Sequence, residues 1–273
     1  WELQPRLVIL RATGFGQTGP YRDRAGFARL FEAMGGLTYI TGEPDGAPMH
    51  TGYPMGDAIG GLFGTIGVLA ALCRRVMEPD APGEEIDLSM TEAVFRLLDF
   101  LPIEHDQLGE VRERSGNANQ YSAPSAVYST RDGRYVSLSG STNAIFTANA
   151  HSIGRPDLPE DPRFMTNSLR MGYSAELNEV FSRWMGEHTL DEILEAFERE
   201  GGAIAPIYSI DQIVNDPQMV AREAIVSVPD ADFGSVRMQN VVPRFVSNPG
   251  AVRSTAGTLG EYNQDFYTRQ MGL

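Results

Sequence analysis

Residues 58–73 form the longest apolar run in the chain, and glycine stands within it at positions 60, 61, 64 and 67. No other feature restricts the fold as strongly. Glycine inside a helix costs roughly 1 kcal/mol relative to alanine. So many glycines are kept only where a bare helix face lets another helix or a ligand come close to the backbone. The run is too short and too rich in glycine to cross a bilayer comfortably. The expectation is a buried helix that opens just after Gly56-Asp57 and ends near Met77.

Strand and helix signals alternate around that run. Leu7-Val8-Ile9-Leu10 reads as a buried strand leading into the turn Gly14-Phe15-Gly16-Gln17-Thr18-Gly19-Pro20. A helix over 27–35 carries Phe27, Leu30, Phe31 and Met34 at helical spacing, and Gly35-Gly36 stops it. Residues 37–41 read as a brief strand, 85–89 as an alternating strand, 92–101 as a helix and 104–122 as a polar linker. Further on, a hairpin turns about Asp132-Gly133. Helices follow near 142–154, 175–185 and 190–200, the last preceded by Thr189 and Glu192 at capping-box spacing. Short helices over 210–215 and 216–222 and late strands over 226–228 and 236–242 complete the pattern. This order predicts an α/β protein with a second, α+β lobe.

Composition removes several kinds of chemistry. The chain has 273 residues, ample for a core, and a formal net charge of -14, which disfavours nucleic acid and anionic membrane as partners. All 22 basic residues are arginine. Without lysine there is no Schiff base, no pyridoxal phosphate anchor and no Walker lysine. The one cysteine, Cys73, forms no intrachain disulfide and reads as a small core residue in a reducing, cytoplasmic setting. His50, His105, His151 and His188 lie at no metal-ligand spacing from one another, and no serine occupies a G-x-S-x-G elbow. No metal site is expected, and hydrolase chemistry lacks its parts. The opening Trp1-Glu2-Leu3 carries none of the regions of a signal peptide.

Two motifs are candidates for chemistry. Gly14 to Gly19 matches G-x-G-x-x-G after a strand, but Pro20 follows at once and no helix opens on the third glycine. A pyrophosphate would find no helix N-terminus there. Asp57 lies between glycines at the start of the most apolar helix. One reading is an N-cap, whose side-chain oxygen satisfies free backbone N–H groups. The other is a carboxylate kept ionised by the helix N-terminus inside a closed pocket, open to substrate across the glycines. Free N–H groups nearby would stabilise an oxyanion, and such a carboxylate can act as a covalent nucleophile.

Around Asp57 the chain resembles the family III CoA-transferases, the CaiB–BaiF group that contains formyl-CoA transferase and carnitine CoA-transferase. The matching pieces run in order along nearly the whole chain. They include Pro5-Arg6-Leu7-Val8, the Gly14 to Tyr21 turn, Gly42-Glu43-Pro44-Asp45-Gly46, and Gly56-Asp57 with its helix. Gly83 to Met90, Gly116-Asn117, Gly154-Arg155-Pro156-Asp157-Leu158, Asp161-Pro162-Arg163-Phe164, Asp216-Pro217-Gln218 and Leu259-Gly260-Glu261 continue the series.

The resemblance implies a fold, a reaction and an assembly. The fold is α/β: a Rossmann-like large lobe, incomplete at its N-terminus by about 100 residues, a small domain's worth, plus a small α+β lobe. The expected division is 1–115 for the large-lobe portion, 116–213 for the small lobe and 214–273 for a return to the large lobe. Asp57 becomes the residue that attacks an acyl-CoA thioester, passing through an aspartyl anhydride and an aspartyl-CoA thioester. Arg24, Ala25, Gly26, Phe27, Gly56, Gly60, Gly61 and Asn117 become the residues that hold CoA and substrate. Coenzyme A is then an acyl carrier substrate, with no permanently bound cofactor. The partners are acyl-CoA, a carboxylic acid and a second copy in an interlocked homodimer. Two alternatives remain. The α-methylacyl-CoA racemases share the fold and the aspartate, but Phe27 stands where they use a histidine and cannot move a proton. A non-catalytic subunit could keep the fold and use Asp57 as a cap.

Overall fold

A parallel pair of strands cannot be joined by a tight turn, so the chain must cross over between them. In a computed structural model describing residues 1–272 that crossover is built around the glycine-rich helix. The chain forms β1 (Val8–Thr13), α1 (Ala28–Met34), α2 (Leu37–Ile40), α3 (Met55–Met77) and β2 (Glu84–Ser89). β2 runs parallel to β1, with Val8 opposite Glu84 and Thr13 opposite Ser89. The glycines of α3 admit the sheet. A Cβ at Gly64 would stand 2.9 Å from Leu10 Cδ2, and one at Gly67 would stand 3.3 Å from Ile86 Cγ2. α4 (Met90–Arg96) opens on Ser89, whose hydroxyl accepts from the Glu92 N–H at 3.3 Å. α5 (Leu101–Leu108) ends at Gly109, with φ of +71°. Phe31, Ile59, Ala93 and Val94 are the buried centre of this part.

Several expectations are corrected here. α3 is a packed helix, but it is buried on one face only: Leu62, Ile66, Leu69, Val76 and Met77 are 55–81% exposed. Two strands cover a single face of a helix. Cys73 is exposed for the same reason and is not a core residue. At 23 residues α3 also has the length and apolarity to cross a bilayer, although its glycine face packs on a sheet. On α1 the inward residues are Ala28, Phe31 and Glu32, whereas Phe27, Leu30 and Met34 are exposed. Residues 37–40 are a turn of helix rather than a strand, entered through Gly36 at φ +93°. The helix expected over 92–101 is divided between α4 and α5.

A second core lies further along the same compact unit, which extends from Trp1 to Ala205. β3 (Ser125–Ser129) and β4 (Tyr135–Ser139) form the antiparallel hairpin expected about Asp132-Gly133. Then come α6 (Asn143–Ser152), α7 (Asn167–Met171), α8 (Ser174–Glu187), α9 (Leu190–Glu200) and β5 (Ile204–Pro206), which extends the sheet on the β4 side. Phe146, Phe164, Leu177, Phe181, Met185, Ile193 and Phe197 are almost completely buried in it. The Thr189–Glu192 capping box is present.

Residues 206–272 belong to a separate compact unit. It contains α10 (Ile210–Ile213), α11 (Pro217–Ala221), the antiparallel pair β6 (Ile225–Asp230) and β7 (Gly234–Gln239), and a π-type helix over Gln264–Gln270.

Candidate active site

Asp57 is the third residue of α3, not its N-cap. The N-cap is Pro54, which offers no side-chain acceptor. The Asp57 side chain is solvent-exposed and has no hydrogen-bond or ion-pair partner among the described residues. Of the two readings, the cap is therefore excluded by geometry: the carboxylate sits in the first helical turn, where the dipole favours its charge, and satisfies no backbone N–H. Exposed in this way, Asp57 is not enclosed in the expected closed pocket by the described residues.

The helix N-terminus is capped from elsewhere. Glu32 on α1 is 1% exposed, and its Oε1 accepts the Gly56 N–H at 3.1 Å. The other oxygen, Oε2, lies 3.1 Å from His50 Nδ1, which is also 3.3 Å from Thr38 Oγ1. The Gly56 N–H is consequently not available to an oxyanion.

The glycines around Asp57 divide into two kinds. A Cβ at Gly56 would stand 3.0 Å from Ala28 O and 3.4 Å from Phe31 Cδ2, and one at Gly60 would meet Met90 Sδ at 2.0 Å. Both are glycine because α1 and α4 press on them. A Cβ at Gly61 would meet nothing within 4 Å, so the outer face of the helix is open there, while the Gly61 carbonyl accepts the Thr65 hydroxyl at 2.8 Å. Gly26 is also a packing glycine: with Gly14 it cradles the Phe31 ring, at 2.5 and 2.8 Å from their hypothetical Cβ atoms.

Arg24, Ala25, Gly26 and Phe27 lead directly into α1, whose first residue, Ala28, touches Gly56. Of the expected site residues, these four and Asp57 with Gly56, Gly60 and Gly61 are brought into one neighbourhood. Arg24 is exposed with its guanidinium 3.6 Å from the centre of the Tyr21 ring, and Phe27 is 76% exposed. Asn117 lies apart from these packing contacts, lining a cleft with Ala118, Val127 and Tyr128. The Gly14 loop opens no helix. It is tied to β2 and α4 by the Gln17 N–H donating to Asp87 at 3.0 Å and the Thr91 hydroxyl donating to Gly14 O at 2.9 Å.

Sequence reasoning did not find Glu32, and it set His50 aside as an ordinary histidine. The one available signal was an acidic residue between Phe31 and Met34 in an apolar helix pattern.

The fold and site thus define a mixed α/β protein with an unpartnered carboxylate in the first turn of a glycine-faced crossover helix. A family model described as CoA-transferase family III matches residues 1–263, and the chain belongs to that family of enzymes. It is 38% identical to the succinyl-CoA–D-citramalate CoA-transferase of Chloroflexus aurantiacus, over all of this chain and 68% of that protein. It is 36% identical to the succinyl-CoA–L-malate CoA-transferase beta subunit of the same organism, over all of this chain and 67% of that protein. The crystal structure of a CAIB/BAIF family protein from Brucella suis superposes with a TM-score of 0.81 at 27% identity, over 98% of this chain and 69% of that one. The chain therefore spans about two thirds of the length of these proteins. The protein is an enzyme of the CoA-transferase type, in agreement with the resemblance.

Proposed function

We propose that this protein moves coenzyme A between carboxylic acids with Asp57 as the covalent carboxylate. The observation that carries the reading is the exposed Asp57 side chain in the first turn of α3 without a partner. A carboxylate that caps nothing and pairs with nothing remains available as a nucleophile. Asp57 attacks the thioester carbonyl of the donor acyl-CoA, giving an acyl-aspartyl anhydride and CoA thiolate. The thiolate then attacks the aspartyl carbonyl, releasing the donor acid and leaving an aspartyl-CoA thioester. The acceptor carboxylate displaces CoA from that thioester. The thiolate finally attacks the acceptor's acyl carbon, and Asp57 is regenerated. Phe27 at the start of α1 offers no proton, so a racemase would lack its second acid/base.

Arg24 and Phe27 on the loop before α1, and the open helix face at Gly61, would hold the carrier. Asn117 would contact substrate from the small lobe. The substrates are of the dicarboxylic class, a reading supported by the succinyl-CoA named for the two Chloroflexus relatives. No cofactor besides CoA takes part. We further propose a homodimer of interlocked chains in the cytoplasm. The apolar outer face of α3 and the lone exposed cysteine are consistent with that assembly and with a reducing compartment.

The test is covalent trapping. The full-length protein would be incubated with succinyl-, acetyl- and formyl-CoA, quenched with hydroxylamine or borohydride, and mapped by mass spectrometry. A mass change at Asp57 that is absent in Asp57→Asn is expected. Turnover by Asp57→Asn at the wild-type rate would exclude the aspartyl route, and exchange of the α-proton with deuterium would favour the racemase.

A further inference from the structure

The unpartnered carboxylate of Asp57 is held by a helix end that has no cap of its own. Pro54 supplies no acceptor, and the cap comes from 24 residues earlier, as Glu32 Oε1 on the Gly56 N–H. This carboxylate is buried to 98% of its side-chain surface. Burying a charge is costly unless it is paired and hydrogen-bonded. Here one oxygen is satisfied by the residue directly before Asp57 and the other by His50, itself beside Thr38. Packing reinforces the same joint: the missing Cβ of Gly56 lets Ala28 O come within 3.0 Å of where it would stand. α1 is thereby fastened to the first turn of α3 by one hydrogen bond and one backbone contact.

We propose that Glu32, steadied by His50, is a positioning residue for the Asp57 carboxylate. Its side chain is 98% buried on the inner face of α1, so it acts through Gly56 rather than on substrate. Its action is to fix the backbone of Gly56, and with it the direction in which Asp57 leaves the helix. Misplacing a reacting group by about 1 Å can cost about 100-fold in rate. Truncating Glu32 should therefore slow attack by Asp57 while leaving the affinity for acyl-CoA nearly unchanged. This inference rests on the assignment of Asp57 as nucleophile.

The experiment measures the rate of Asp57 labelling per folded molecule and KM for succinyl-CoA in the full-length protein, with thermal unfolding followed in parallel. Glu32→Ala is expected to slow labelling about 100-fold with KM within about twofold. Glu32→Gln keeps an acceptor for the Gly56 N–H and should restore labelling to within about tenfold of wild type. A purely structural role would lower the folded fraction and leave the rate per folded molecule unchanged, which would overturn the proposal. Should Glu32→Ala fail to fold, His50→Ala carries the test: slower labelling by threefold or more supports positioning, and the wild-type rate overturns it. A wild-type protein that no acyl-CoA labels at Asp57 would remove the nucleophile assignment and this inference together. Labelling of wild type with unimpaired Glu32 variants removes this inference alone.

Discussion

Arg170 gives the sharpest test of the physical account of the second core. Its side chain is fully buried and has no ion pair among the described residues. The guanidinium instead donates to Ala123 O at 2.7 Å, Phe164 O at 3.0 Å, Gly140 O at 3.2 Å and Asn143 Oδ1 at 3.0 Å, and sits 4.4 Å from the centre of the Phe146 ring. Burial pushes its pKa below the ordinary arginine value. Arg170→Met keeps much of the volume and removes every donor. Four backbone carbonyls, the fourth being Ser141 O at 3.5 Å, would lose their partner, at about 1 kcal/mol each, and the cation–π contact would remove about 1 kcal/mol more. Relief of the buried charge offsets part of this. The expected net loss is about 3–5 kcal/mol. Urea denaturation followed by Trp184 fluorescence, in a Trp1→Phe background, reads this core directly, because Trp184 packs against it. Arg170→Lys, with three donors from a single point, should recover less than half of the loss. A loss below about 1 kcal/mol for Arg170→Met would refute the reasoning, since the carbonyls would then find water or one another without cost.

Other outcomes follow from the same contacts. Gly60→Ala should destabilise by about 1–3 kcal/mol because its Cβ meets Met90 Sδ. Adding Met90→Ala should return at least about 0.5 kcal/mol as coupling in a double-mutant cycle. Acid should destabilise the part of the chain around the second core through carboxylates that folding favours in the ionised form. Asp132 is held below the usual range first by the Thr130 hydroxyl, Asp157 by Arg155, Asp161 by Arg163, and Glu192 by the Thr189 backbone N–H. A depressed folded pKa means that this stability is complete above the unfolded value of about 4 and is lost as pH falls through the folded one. Stability measured from pH 6 to 2 should fall at the acid end, and Asp132→Asn should reduce that slope; an unchanged slope would remove Asp132 from the account.

Much of the architecture was legible because it depends on local physics. The Thr189 and Glu192 pair announces α9, the Asp132-Gly133 turn announces its hairpin, and the Gly56-Asp57 start announces α3. These follow from spacing, turn chemistry and capping, which involve residues close in sequence. The candidate nucleophile was legible for a related reason: a carboxylate beside glycines at a helix start is a local arrangement.

What the sequence by itself determined was the elements with strong local signals, α3, α9 and the β3–β4 hairpin among them, and the choice of Asp57 as the candidate carboxylate. Tertiary structure decided how the inward faces were chosen. Leu30 and Met34 are as apolar as Phe31, yet only Phe31 turns inward, because Gly14 and Gly26 leave a ring-shaped space there. Glu32 follows it into the interior because it lies one turn from Ala28 on the same face and because Gly56 and His50 arrive from later in the chain as hydrogen-bond partners. No local pattern contains that information. A buried carboxylate is tolerated only where distant groups converge on it, and that convergence exists only in the folded chain.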